Sequence, residues 1–192
     1  MKLRVPGLIS VRTGSTRLPG KHHLPFGENR SVLEHVIYRA KTYGFRPIIC
    51  TTFERSDDPI VDISKSENIE CFRGESLNRL KRWADCCREF NLDWFHTIDA
   101  DDPFFEKSDI ERSCTLLVEE KWDIVAPSVS SASGGATVGY SITSDLAERA
   151  SQSTKPSDDT EIIGPWIART EGVRFYTLSE DESELSPSAR LT

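Results

Sequence analysis

The chain has 192 residues, 37% hydrophobic, 9% aromatic and 29% charged, enough apolar material for one core of ordinary domain size and too much for a disordered chain. Its formal charge of −7 repels a phosphodiester polymer and argues against general nucleic-acid binding. No apolar run reaches the roughly 18 residues of a membrane helix, and the N-terminal stretch, broken by Pro6 and followed by Arg12, lacks a leader peptide's apolar core, so a cytoplasmic protein is expected.

Residues 3–11 read as a buried first strand running into a loop over 12–30. Ser31-Val-Leu-Glu34 is a capping-box signature, and Val32, Leu33, Val36, Ile37 and Ala40 follow at helical spacing until Gly44, where a helix is expected to end. A second strand is predicted over Arg46–Thr52. Asp58-Pro59 reads as an N-cap with proline at the first helical position, opening a helix to about Glu67. A strand over Ile69–Phe72, a helix over 76–90 and a strand over Trp94–Ile98 follow. Ser108-Asp-Ile-Glu111 is a second capping-box spelling, predicting a helix to Lys121. Strands over 122–126 and 137–142, helices near 144–151 and 158–170, and a last strand over 172–178 complete the pattern.

This alternation predicts a three-layer α/β/α fold around a mostly parallel mixed sheet. A single domain over 1–178 is expected, with a glycine- and serine-rich surface loop over 128–135 and an acidic, mobile tail over 179–192. The cysteines (Cys50, Cys71, Cys86, Cys87, Cys114) are odd in number and lack CxxC spacing, which favours buried reduced thiols over a disulfide framework or a zinc site.

Charge is unevenly distributed. Residues 1–46 carry nine Lys/Arg against two acids, about +7, and the rest carries 15 basic against 29 acidic residues, about −14. A basic end on an acidic protein suits a small polyanion such as a nucleoside triphosphate. Within it lies Arg12-Thr-Gly14-Ser15-Thr16-Arg17-Leu-Pro-Gly20-Lys21. Its glycines let successive amides turn toward an anion, Ser15 and Thr16 add hydroxyls, and Arg12, Arg17 and Lys21 add three cations. It is not a Walker A loop: five residues separate Gly14 from Gly20, and His22 follows Lys21, where that motif needs four and a Ser or Thr.

The second constellation is Asp99-Ala-Asp101-Asp102-Pro103. Carboxylates at a strand end offer hard oxygen ligands to Mg²⁺, which takes one or two of them together with substrate phosphates; the bland alternative is a solvated acidic turn. Both segments follow predicted strands, so both are expected at the sheet edge where open α/β folds bind ligands. His22 and His23 read as solvated loop residues, and His35 and His96 as packed or partly exposed ones.

At these residues the sequence resembles the cytidylyltransferases that make CMP-activated acidic sugars. Arg12–Lys21, RTGSTRLPGK, is similar to that family's R-x-G-S-T-R-L-P-G-K signature, and Asp99–Phe105, DADDPFF, resembles its G-D-x-P-Φ motif. Val32-Leu-Glu-His35, Asp57-Asp-Pro-Ile60, Cys71-Phe-Arg73-Gly-Glu75, Leu77-Asn-Arg79 and, more weakly, Asp159-Thr-Glu161 with Pro165-Trp-Ile167 look like the spore-coat polysaccharide synthesis protein F branch. The resemblance implies a GT-A-like fold, CTP and a sugar acceptor as substrates, Mg²⁺ as cofactor and a homodimer. It places the backbone at Leu8–Ser10 along the base, Arg12, Gly14, Ser15, Thr16, Arg17 and Lys21 around the phosphates, and Mg²⁺ on Asp101, with Arg12, Lys21 and Asp101 in catalysis. The family's second metal aspartate is due where the chain ends at Ala189-Arg-Leu-Thr192, which implies a C-terminally shortened member. Two other readings stay open: Asp99-Ala-Asp101 is also the D-x-D spelling of a GT-A glycosyltransferase, and a chain with one metal aspartate could bind nucleotide without catalysis.

Overall fold

The computed structural model describes residues 4–14, 20–27, 29–128, 138–155 and 157–179. Seven strands form one sheet in the order β5-β4-β1-β6-β8-β7-β9: β1 (Pro6–Ser10), β4 (Arg46–Thr52), β5 (Glu70–Gly74), β6 (Trp94–Asp99), β7 (Ile124–Ala126), β8 (Ser141–Thr143) and β9 (Phe175–Thr177). The short β2 (Pro25–Phe26) and β3 (Arg30–Ser31) pair separately as an antiparallel ribbon. The helices are α1 (Val32–Thr42), α2 (Asp58–Ser66), α3 (Arg79–Phe90), α4 (Lys107–Glu119), α5 (Ser144–Gln152) and the single turn α6 (Gly164–Ile167).

Strand pleating divides the apolar residues between two cores. Ile9, Ile49, Ile98 and Val125 face one core with α1, α2 and α4. Leu8, Ile48, Phe95 and Ile124 face the other with α3, α5 and α6. This is the expected three-layer α/β/α arrangement, with β1, β4, β5 and β6 mutually parallel and β8 antiparallel to both β6 and β7. The chain runs outward from β1 to β4 to β5 through α1 and α2 on one face. It then returns through α3 on the other face to place β6 on the far side of β1. Right-handed crossovers demand that change of face when the direction reverses. The reversal puts a topological switch point at the carboxyl ends of β1 and β6, where Ser10 pairs with Asp99.

Local signals held where the chain could satisfy them by itself. Ser31 caps α1 with a complete capping box to Glu34, and its hydrogen bonds hold the Glu34 carboxyl below the usual range. Other expectations need correction. The residue at the cap position of α2 is Asp57, not Asp58, and its side chain makes no cap bond. Ser108 does not cap α4, which begins at Lys107 after Glu106. Arg39 holds the Phe105 carbonyl at 2.8 Å and the Glu106 carboxylate at 2.9 Å, and the helix starts two residues before the capping-box spelling would place it. The helix expected over 76–90 begins at Arg79, because Asn78 caps it by accepting the Lys81 amide at 2.9 Å. The helix expected over 158–170 shrinks to Gly164–Ile167, since Thr160 and Asp159 spend their hydrogen bonds elsewhere: the Thr160 hydroxyl accepts the Leu80 amide, and Asp159 accepts the Glu161 amide. The strand expected over 137–142 starts only at Ser141. Residues 129–135 of the predicted surface loop and 180–192 of the predicted tail lie outside the described residues.

Candidate functional site

The aligned carboxyl ends of β1, β4, β5 and β6 release four segments at one edge of the sheet, residues 11–14, 53–57, 75–78 and 100–105. Gly20 has φ +68, a left-handed turn that glycine takes without a Cβ penalty. It delivers Lys21 into a short 3-10 turn. The Lys21 ammonium pairs there with the Asp101 carboxylate, contributed from 80 residues away. Both are sheltered: the side chains are 21% and 9% exposed. Asp101 and Asp102 are buried, and the Asp102 amide closes a turn onto the Asp99 carbonyl. The solvated-turn reading of this segment is therefore excluded.

Beside this pair, Asp57 ties the start of the glycine-rich loop to the sheet. It is 1% exposed. One carboxylate oxygen accepts the Thr13 amide at 2.8 Å and the Thr13 hydroxyl at 2.7 Å, and the other accepts the hydroxyls of Thr51 and Thr52. Burial pushes this carboxyl up, but the hydrogen bonds from Thr52, Thr13 and Thr51 outweigh burial and hold it below the ordinary range. Thr13 is thus fixed between Arg12 and Gly14, and the loop leaves the sheet in one direction.

On the other flank, Arg12 sends one guanidinium nitrogen toward the Ser76 carbonyl at 3.4 Å and another to the Glu161 carboxylate at 3.5 Å. Arg79, the first residue of α3, shares Glu161 with it. Ser10, the last residue of β1, accepts the Trp83 indole N–H at 2.8 Å. Leu8 lies two residues short of the strand end, fully buried, with its side chain in the core. Gly14 is exposed. Ser15, Thr16 and Arg17 lie outside the described residues. His22 corrects the expectation of a solvated loop: it is buried while His23 is exposed, and burial, with the charges of His23 and Lys21, lowers its pKa to about 4 against a smaller raising effect of Asp57.

Sequence reasoning found Lys21, Arg12 and Asp101, which the fold brings to one edge. It did not single out Asp57, Arg79, Trp83 or Glu161 as site residues. Asp57 carried a signal, an acid placed just after a predicted buried strand, but Trp83 and Glu161 sit in segments whose chemistry depends on what they pack against. The donor set suits a hard cation. Asp101, with Asp99 ending the neighbouring strand, offers carboxylate oxygen at the switch point, and no cage of three or more metal-ligating side chains occurs among the described residues. One or two carboxylates of this kind could hold Mg²⁺ together with substrate phosphates.

The family model described as cytidylyltransferase matches residues 7–160. The chain is 30% identical over 124 residues to the 3-deoxy-manno-octulosonate cytidylyltransferase of Solibacter usitatus, covering 62% of this chain and 47% of that protein. It is 28% identical over 105 residues to the spore coat polysaccharide biosynthesis protein SpsF of Bacillus subtilis, covering 52% and 43%. The chain thus spans under half the length of both relatives. A solved cytidylyltransferase from Leptospira borgpetersenii superposes with a TM-score of 0.81 at 22% identity, covering 98% of this chain and 81% of that one; this likeness concerns the fold, which is GT-A-like and nucleotidyltransferase-like.

Proposed function

Because the chain belongs to the cytidylyltransferase family, we propose that it transfers CMP from CTP to a sugar hydroxyl, releasing pyrophosphate. The sugar in this reading is an acidic or related one, activated in the cytoplasm for surface polysaccharide synthesis. The observation that carries it is the Lys21–Asp101 pair at the switch point, a cation for phosphate oxygens joined to a carboxylate for a metal. As the sugar oxygen bonds to the α-phosphorus, the bond to the departing pyrophosphate breaks and negative charge grows on the leaving oxygens. Lys21 and Arg12 supply positive charge where it develops, in a sheltered site where such charge counts for more than in water. Mg²⁺ on Asp101, when bound, would neutralise phosphate charge and strengthen the leaving group. Asp57, through Thr13, holds the loop carrying Arg12 and Gly14, and Ser10 marks the edge along which the base lies, with Leu8 beneath it.

A thermal-shift panel with CTP, UTP, ATP, GTP and UDP-glucose, each with Mg²⁺, Mn²⁺ or neither, tests this. A ligand at one hundred times its Kd that binds only the folded state adds about 2.7 kcal/mol. Selective stabilisation by CTP with Mg²⁺ is the expected result. A preference for UDP-glucose would transfer the case to a glycosyltransferase, and no response to any triphosphate would overturn the reading.

A further inference from the structure

The charges beside Arg12 do not balance. Arg12, Arg79 and Arg82 bring three guanidinium groups together behind the 75–78 turn, and Glu161 is the carboxylate that contacts Arg12 and Arg79. Arg82 is 2% exposed, and it donates to the main-chain carbonyls of Glu75 and Ser76, which carry no charge. The Nε atoms of both Arg79 and Arg82 are buried without a hydrogen-bond partner among the described residues. A buried guanidinium with unmet donors is costly, so this cluster has room for more negative charge than Glu161 supplies.

The burial runs the wrong way for a permanent structural bridge. The arginine side chains are 30% and 17% exposed, whereas the carboxylate they share is 45% exposed. Glu161 also lies in a non-regular segment, and its neighbour Thr160 is the anchored residue. Thr160 is fully buried, its hydroxyl accepts the Leu80 amide at 3.1 Å, and its own amide donates to the Leu77 carbonyl. With the backbone held there, rotation of the Glu161 side chain alone uncovers the arginines.

We propose that Glu161 is an internal placeholder: its carboxylate occupies, between Arg12 and Arg79, the position that an oxyanion of the substrate takes, and it swings out when that oxyanion arrives. Arg79 thereby becomes a binding residue, and Glu161 a residue that sets the affinity threshold. The chemistry fits a phosphate of the nucleotide or the carboxylate of a sugar acid. This inference rests on reading the edge as a nucleotide site, so its test is built to fail separately.

Dissociation constants are measured by calorimetry at low ionic strength for tripolyphosphate, CTP and the free sugar acid 3-deoxy-manno-octulosonate. The proteins are the unsubstituted chain, Glu161→Gln, Arg79→Met and the double variant; Glu161→Asp, too short to span both arginines, replaces Glu161→Gln if that variant does not fold. Removing an exposed competing charge should tighten the displaced class of ligand about five-fold, Arg79→Met should weaken it, and the double variant should lose the gain. Tightening of tripolyphosphate and CTP identifies a phosphate as the displacing group, and tightening of the sugar acid alone identifies the carboxylate. Equal or weaker binding of all three to Glu161→Gln overturns the placeholder. Tripolyphosphate that tightens in a protein binding no CTP keeps the placeholder and overturns the nucleotide reading; CTP bound equally by the unsubstituted chain and Glu161→Gln, with no tightening of tripolyphosphate or the sugar acid, does the reverse.

Discussion

Lys21 and Asp101 carry opposite charges that do different work once a polyphosphate is present, and their substitutions should separate. Lys21→Ala removes a cation meant for the β- and γ-phosphates, so CTP affinity should fall about ten-fold or more while CMP affinity changes little. Equal losses for both nucleotides would remove Lys21 from the phosphate site. Asp101→Asn keeps the shape and discards the metal-binding charge. Mg²⁺-dependent pyrophosphate release should drop by at least about a hundred-fold, with far-UV circular dichroism unchanged; normal release in that variant would place the metal elsewhere. These residues were legible because each sits in a dense local motif, cations among glycines or carboxylates at a strand end. Arg79 and Glu161 were not. Both fall in segments that resemble the family, but neither stands in a dense local motif, and only the packing of residues 158–163 against the start of α3 makes them neighbours across 82 positions.

Backbone conformation governs the next scale. Gly139 and Gly44 both have positive φ, +88 and +82, yet their surroundings differ. A Cβ on Gly44 meets nothing within 4 Å, whereas one on Gly139 falls 2.2 Å from the Thr97 carbonyl oxygen. Gly44→Ala should therefore cost only the left-handed penalty, about 1–2 kcal/mol. Gly139→Ala must also push the segment before β8 off β6, and should cost roughly 3 kcal/mol or more in denaturant unfolding. Similar losses in the two variants would show that the close approach relaxes freely. The elements that sequence reading located best, α1 and β4, are those whose periodicity and ends are set within their own residues. Those it misplaced, the start of α4 and the helix expected over 158–170, are set by Arg39 and by the caps and turns around Thr160, which belong to other parts of the chain.

For the molecule as a whole, acid stability reports on buried histidine. His96 is fully buried in β6; its Nε2–H donates to the Val138 carbonyl at 2.6 Å, and its Nδ1 accepts the Ser141 hydroxyl at 2.9 Å, itself bonded to Ser113 at 2.7 Å. Burial lowers its pKa to about 4, more than the Val138 bond raises it. A depressed folded-state pKa means the unfolded chain gains a proton that the folded chain refuses, so stability is full above about 6.5 and is lost as pH falls toward about 4. His96 should cost about 2 kcal/mol between pH 7 and pH 5, and His22 acts in the same direction. Urea unfolding across that range should show the loss, and His96→Gln should remove about half of the slope. A flat profile would mean that His96 titrates freely in the fold. The amino-acid sequence by itself determined the alternation of strands and helices, the α/β class, the capping of α1 and the two motifs that flank the edge, because these depend on periodicity and on residues a few positions apart. Only the tertiary structure decided that Lys21 meets Asp101, that Asp57 anchors Thr13, and that Glu161 sits on two arginines beside a third. Those contacts join positions 44 to 149 residues apart, and charge has no periodicity from which such partners can be read.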